Sequence, residues 1–243
     1  HREVVALPLL LFAARHNKFD VTNELDRARL RYPGLRFHYG RQLGVADLLV
    51  DLWRSRLAAD DQSPIPREET VLLFVGRGAS DPDANGDAYK LARVLWEGSG
   101  FKGLEVCFSG ITHPRLDAGI ERMWTWRPKR VVVLPHFLFT GVLMERIQGV
   151  AAAAQAARPD VEVQMLDEIG LDPVLFQLMA SREAEAIAGN VAMNCELCKF
   201  RRAASHDLAP MGHGHHGHHH GHSHDPDPYE QPAAYHNRVW SIP

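Results

Sequence analysis

The chain contains an internal repeat, which restricts its fold more than any other feature of the sequence. The segment LPLLLFAARHNKFD (7–20) matches LPHFLFTGVLMERI (134–147) when the two prolines are aligned. Each segment consists of leucine and proline, an apolar run, a phenylalanine, two small residues and the start of a helix. Agreement of this length indicates two related structural units.

The match continues further along the chain with a small change of register. YPGLRFHYGRQLGVADLLVDLW (32–53) matches RPDVEVQMLDEIGLDPVLFQLM (158–179), and Gly44 falls opposite Gly170. Each copy is predicted to contain a strand, a loop, a helix, a second strand led by proline, a glycine loop and a second helix. We therefore expect two related lobes.

The segment between the copies adds elements to the second lobe. TVLLFVG (70–76), GLEVCFSG (103–110) and KRVVVLPHFLF (129–139) are predicted strands, and the last has the continuous apolar character of a strand covered on both faces. HPRLDAGIERMWTW (113–126) is a predicted helix that Pro114 opens. Strands that alternate with helices favour an α/β fold with parallel sheets. We interpret a glycine-rich stretch as a turn and helix cap, since it lacks the third glycine of a nucleotide-binding loop: Gly76, Gly78, Asp81, Asp83 and Asn85.

The repeat also predicts domain boundaries. Residues 1–62 would form the remainder of the first lobe, 63–190 the second lobe, and 191–243 a disordered tail rich in histidine, glycine and proline. The second copy follows a strand, a glycine-rich turn and a helix that have no counterpart before the first copy. By symmetry, about 56 residues are expected upstream of His1.

Composition argues against several classes of protein. The 243 residues are 45% hydrophobic and carry a formal charge of −3, which gives no general affinity for nucleic acid or acidic membranes. No apolar stretch is long enough to cross a bilayer, nothing resembles a signal peptide, and three cysteines are too few for a secreted disulfide scaffold. A cytoplasmic globular protein is expected.

A resemblance to a known family is carried by six motifs and a histidine-rich tail. The motifs are LPLLLFAARHNKFDV, YPGLRFHYGRQLG, VGRGASDPDAN, FSGITHPR, LPHFLFTGVLMERI and MNCELC. In this order they resemble the long-form sirohydrochlorin cobaltochelatases, which are class II tetrapyrrole chelatases of the CbiX type. The resemblance implies two chelatase-like lobes of flavodoxin-like or Rossmann-like topology, with the tetrapyrrole between them. It also implies that two histidines of one lobe hold the metal.

The resemblance maps one of these metal ligands onto His16, which would also be the catalytic residue. The other histidine would lie upstream of His1. In the second lobe, Arg77 and Leu143 stand where the two histidines would be, so the first lobe is predicted to do the chemistry. Two imidazoles leave coordination positions open, and a neutral ring can bind the metal or accept a pyrrole proton. The residues before His16 would form the substrate-binding lip: Leu11, Phe12, Ala13, Ala14 and Arg15.

Other polar residues are weaker candidates. Arg15, Arg41 and Arg77 could each pair with a carboxylate of sirohydrochlorin or lie solvated at the surface. His113 and His136 are predicted to be structural histidines with satisfied hydrogen bonds.

A CxxC pair lies near the end of the chain. Cys195 and Cys198 fit the MxCxxC motif that related long chelatases associate with an iron–sulfur cluster. Two cysteines cannot complete a cluster, so a cluster would need a second subunit, as in a homodimer, or ligands from upstream of His1. A reducible disulfide or two idle thiols are the alternatives, and Cys107 lies in a predicted strand.

The tail is the most unusual part of the composition. Gly and Ser interrupt its histidines, and further sequence follows them, so a purification tag explains them less well than weak multi-site binding of divalent metals. The candidate ligands are His213, His215, His216, His218, His219, His220, His222 and His224.

The resemblance implies an enzyme that inserts Co²⁺ into sirohydrochlorin without ATP, releasing two protons, in cobalamin biosynthesis. The alternatives are a sirohydrochlorin ferrochelatase for sirohaem and a metal-storage protein or metallochaperone acting through the tail. A two-lobed binding protein of the periplasmic type is a further reading, against which the His16/Leu143 difference argues.

Overall fold

The computed structural model describes residues 2–191. Its strands are β1 (Glu3–Ala6), β2 (Arg36–Tyr39), β3 (Thr70–Gly76), β4 (Gly103–Phe108), β5 (Arg130–Pro135) and β6 (Glu162–Met165). Its α-helices are α1 (Val21–Arg31), α2 (Asp47–Ala59), α3 (Pro82–Trp96), α4 (Leu116–Trp124), α5 (Val142–Ala157) and α6 (Pro173–Ile187). A π-helical turn, His16–Asp20, leads directly into α1.

The described strands form two parallel sheets. One has four strands in the order β4-β3-β5-β6, and the other consists of β1 and β2. Helices connect the successive parallel strands, as a parallel sheet requires. The predicted α/β class with two lobes and parallel sheets is confirmed.

The repeat is visible in individual backbone hydrogen bonds. The amide of Gly44 donates to the carbonyl of Leu11, and the amide of Gly170 donates to that of Leu138, both at 2.8 Å. Both glycines have positive φ, +68° and +65°, which an L side chain adopts only with strain. The glycine loops of the two copies therefore bind the strand-end loops in the same way.

The small change of register has a structural cause. The bond from the Lys18 amide to the Ala14 carbonyl has its counterpart between Glu145 and Gly141, an offset of 127 positions. At the far ends of the helices, the matching bonds involve Tyr32 and Arg158, an offset of 126. Between these two bonds the first copy thus has one residue more than the second, and the π turn that precedes α1 accommodates it.

The two copies exchange helices. One face of the four-stranded sheet is covered by α3, by the first half of α6 and by α2 of the first copy, whose Trp53 is fully buried among residues such as Phe74 and Leu134. The second half of α6 instead packs on β1 and β2, where Arg182 donates to the carbonyls of Gln42 (3.0 Å) and Leu43 (2.6 Å). The other face is covered by α4 and α5. The domain boundaries at 62 and 190 stay a prediction.

The four residues of β1 have exposed or half-buried side chains, and β1 pairs only with β2 among the described strands. Two local expectations were wrong. The strand before His136 ends at Pro135, where a tight turn begins with a bond from Phe137 N to Pro135 O. The Pro114 carbonyl is bound by the Phe108 amide, so α4 begins only at Leu116.

Within residues 2–191, no helix is long and apolar enough to cross a membrane.

Candidate functional site

A cavity of about 220 Å³ lies where three strand-end loops meet. The loops follow β1, β3 and β5, and the carboxyl ends of parallel strands are the usual place for ligands in open α/β sheets. Its walls are mostly apolar and come from both copies: Leu9, Leu10, Leu11, Phe12, Ala14, Gly76, Arg77, Gly78, Ala79, Ala84, Asn85, Ala88, Phe108, His136, Phe137 and Leu138.

The cavity includes part of the predicted lip. Leu11, Phe12 and Ala14 line it, whereas Ala13 is buried behind them and Arg15 is exposed outside. Sequence reasoning missed Leu9 and Leu10, although both lie in the quoted motif. The substrate-binding role of these residues stays a prediction.

His16 lies two residues beyond the cavity wall with 72% of its side chain exposed. Its Nδ1 is 2.6 Å from Oδ2 of Asp20, and Arg15 Nε is 3.7 Å from the other oxygen of the same carboxylate. An ionised carboxylate only accepts hydrogen bonds, so in the neutral form of the ring Nδ1 carries the proton and Nε2 has the lone pair. A histidine held in this way presents Nε2 to a metal ion. Asp20 was missed, and its spacing of four residues within a helical segment is the signal that could have identified it.

The two residues after His16 are buried. Asn17 donates from Nδ2 to Gln42 (3.3 Å) and accepts from the Tyr39 hydroxyl at both its carbonyl and its side-chain oxygen. Lys18 Nζ lies 2.8 Å from Asp83 Oδ2 and 2.9 Å from Asp81 Oδ2. Burial lowers the pKa of Lys18, but the contacts and charges of the two aspartates outweigh burial and raise it, so the ammonium group stays charged.

His136 is the buried histidine of the cavity wall. Burial lowers its pKa to about 3, so the ring is neutral at physiological pH. The indole N–H of Trp53 donates to Nδ1 at 3.1 Å, which places the ring proton on Nε2. That Nε2 has no hydrogen-bond partner in the described part of the chain, so the expectation of a fully satisfied histidine was wrong. A ring that is already protonated at Nε2 and blocked at Nδ1 cannot act as a general base.

The three arginine candidates differ in their surroundings. Arg77 is exposed on the cavity wall, and Arg15 is exposed beside Asp20. Arg41 is held by Glu185 through two hydrogen bonds of 2.8 and 3.0 Å, so its guanidinium is already engaged. Arg77 is therefore the best placed of the three to contact a ligand carboxylate.

The loop after β3 is a turn with a helix cap, as predicted. The Asp81 side chain accepts from the Asp83 amide at 3.1 Å, and Asn85 bonds both the amide and the carbonyl of Ala79 at 2.9 Å. The exposed His113 was expected to be structural, and it does have a partner within the described chain.

Residues 2–191 contain no group of three or more histidine, cysteine or acidic side chains arranged to hold a metal ion. The CxxC pair and the histidines of the tail lie outside the described residues, so the cluster and the weak tail sites stay predictions. Cys107 is buried in β4, and burial raises the pKa of its thiol to about 12, which leaves it unreactive.

Two curated relatives share substantial sequence identity with this chain. A sirohydrochlorin cobaltochelatase of Priestia megaterium is 37% identical over 82% of this chain and 66% of its own length. A sirohydrochlorin ferrochelatase of the same organism is 34% identical over 60% of this chain and 54% of its own length. The chain thus spans less than two thirds of the length of either relative.

Solved structures agree with these matches. SirB from Bacillus subtilis with Fe³⁺ has a TM-score of 0.67 at 27% identity, covering 78% of this chain and 73% of that one. The sirohydrochlorin chelatase SirB of Bacillus subtilis subspecies spizizenii, in complex with cobalt, has a TM-score of 0.61 at 26% identity, covering 77% and 70%. The family model described as CbiX matches residues 1–60 and 71–186. The chain belongs to the CbiX family.

Proposed function

We propose that this chain acts as a sirohydrochlorin chelatase that inserts Co²⁺ into the macrocycle without ATP. The observation that carries the proposal is the His16–Asp20 pair beside a cavity walled by both copies. Leu143 occupies the aligned position of the other copy, so only one of these two equivalent positions carries an imidazole. The named activities of the relatives support the proposal.

The chemistry required is metal transfer with loss of two protons. Nε2 of His16 is a neutral donor that holds a divalent ion through one bond and leaves the ion's other positions to water and pyrrole nitrogens. The apolar wall formed by Leu11, Phe12 and Ala14 provides a surface for a flat ring. Arg77 would pair with a carboxylate at the edge of that ring.

The same pair can receive a proton when the metal leaves. Nε2 is then unoccupied, and the imidazolium that forms by taking a pyrrole proton is stabilised by the Asp20 carboxylate 2.6 Å from Nδ1. His136 cannot share this task, since its ring has no free lone pair at a nitrogen.

Cobalt is proposed as the substrate metal because the cobaltochelatase match covers more of this chain at higher identity than the ferrochelatase match. Fe²⁺ is the second candidate, and a neutral imidazole serves either ion. The ferrochelatase relative is the observation that favours iron.

The test follows the visible absorption of sirohydrochlorin under anaerobic conditions with Co²⁺ or Fe²⁺. We expect insertion of Co²⁺ faster than without protein, loss of this acceleration in His16→Ala, and little change in the matched control Leu143→Ala. No acceleration with either metal would refute the proposal. Equal rates for the parent and His16→Ala would keep the activity but reject the site.

A further inference from the structure

Lys18 forms a buried ionic contact between the two lobes. Only 2% of its side chain is exposed, and its ammonium group lies between Asp81 and Asp83 at the start of α3. The contact with Asp83 is a hydrogen bond of 2.8 Å, while Oδ2 of Asp81, 2.9 Å away, has ion-pair contact without hydrogen-bond alignment. A buried ion pair contributes little net stability compared with apolar residues of similar size, but it fixes geometry.

The geometry that this contact fixes is that of the π turn. Lys18 lies two residues after His16, and its amide bonds the Ala14 carbonyl at 3.0 Å. Asn17, between His16 and Lys18, is bound by Tyr39 and Gln42 of its own copy. The turn is thus held from the first lobe at Asn17 and from the second lobe at Lys18. His16 itself is exposed and has a single side-chain partner within residues 2–191, Asp20.

The second copy lacks this arrangement. Glu145 is the counterpart of Lys18 by the matching hydrogen bonds, and it is exposed in the first turn of a regular α-helix. The extra residue, the π turn and the buried cation therefore occur together in the copy that carries His16. Outer contacts that orient a ligand residue commonly change metal affinity by 10–100-fold when removed.

We propose that Lys18 is a positioning residue that, through Asp81 and Asp83 of the second lobe, holds His16 in the orientation that receives the metal. The second lobe, which has lost the metal histidines, thereby sets the geometry of the histidine in the first. This inference rests on the proposed chelatase function and assigns a role to the second lobe within it.

The first test separates metal binding from tetrapyrrole binding in steady-state insertion kinetics of the full 243-residue chain. Lys18→Met is expected to raise KM for Co²⁺ about tenfold or more while KM for sirohydrochlorin stays the same. Lys18→Arg should restore most of the loss, because it keeps the charge. Glu145→Met is the matched control and should behave as the parent does. An equal rise in KM for Co²⁺ and in KM for sirohydrochlorin, with no rescue by Lys18→Arg, would overturn the proposal.

A second measurement does not depend on activity. Nitrogen–proton NMR spectra of the His16 ring should show the Nδ1–H form in the parent, and a mixture of both neutral forms in Lys18→Met. Unchanged ring signals in a folded Lys18→Met would refute the positioning role. If the parent inserts no metal, the proposed function fails, whereas the ring spectra still decide whether Lys18 orients His16. Asp83→Asn keeps the Asp81 contact and should shift the ring signals in the same direction, which decides the matter if Lys18→Met does not fold.

Discussion

The loop after β1 and the loop after β5 share a backbone and differ in their chemistry. Equivalent amides and carbonyls bind at equivalent distances in both, so the duplicated scaffold is intact. The side chains at matching positions are His16 and Leu143, Lys18 and Glu145. The difference teaches that backbone hydrogen bonds and apolar packing preserve a fold after duplication, while the side chains placed on that fold differ between the copies.

The largest effect on stability is expected for a substitution in α2, the helix of the first copy that packs on the four-stranded sheet. Trp53→Ala removes a fully buried side chain from the face of the four-stranded sheet and the hydrogen bond to His136, so we expect a loss of about 3–5 kcal/mol in the free energy of unfolding. Denaturant unfolding measures it. Phe176→Ala, in the exchanged helix of the other copy but 59% exposed, should cost less than about 1 kcal/mol. Similar losses for both would show that α2 does not pack as described.

Exchanging the aligned residues tests the asymmetry directly. His16→Leu should lower the rate of Co²⁺ insertion at least about 100-fold, because the imidazole is lost. Leu143→His should not restore activity in that background, since Leu143 lies in the first turn of a regular helix that has no counterpart of the buried lysine. Anaerobic absorption kinetics provide the measurement. Recovery of activity in the double variant would show that the second copy retains a working site.

The pH dependence of stability distinguishes His136 from its aligned counterpart, Leu9. The folded-state pKa of His136 is about 3, below the ordinary value of about 6.5. As the pH falls, the ring is therefore protonated in the unfolded chain before it is protonated in the folded chain. His136 leaves the free energy of unfolding undiminished above pH 6.5. As the pH falls from 6.5 toward 3, protonation of this residue in the unfolded chain lowers the free energy of unfolding by about 1.4 kcal/mol per pH unit. Unfolding at several pH values should show a shallower acid slope in His136→Gln, which keeps an acceptor for Trp53. Parallel slopes would contradict the buried neutral ring.

The smallest effect on stability is expected for substitutions in the two equivalent glycine loops. Gly44→Ala and Gly170→Ala should each cost about 1–2 kcal/mol, because each position has positive φ, while the new methyl group would meet no atom closer than 3.7 Å. Gly34→Ala, in an ordinary conformation with no atom near the new methyl group, should be close to neutral. Thermal unfolding of the three variants is sufficient, and unequal costs at 44 and 170 would show that the loops are not equivalent.

The repeat was the part of the fold that the sequence could predict, because apolar periodicity and paired prolines and glycines are local signals. The same alignment identified the contrast between His16 and Leu143. The alignment could not predict which residues contact one another over long distances in the sequence. Lys18 meets Asp83 across 65 positions, and Trp53 meets His136 across 83, so only the folded chain brings them together. The register change marked an extra residue, but a gap in an alignment does not distinguish a π turn from a longer loop.

The exchange of helices also affects the order in which the protein can be completed during synthesis. β1 and β2 emerge from the ribosome early, whereas the half of α6 that packs on them lies near Ile187. Translation adds about 5–20 residues per second, so this sheet waits about 7–30 s for its covering helix. During that interval the carbonyls of Gln42 and Leu43 lack the Arg182 side chain that binds them in the folded protein. The first lobe is thus synthesised before the second, but its packing is completed only when α6 has been synthesised.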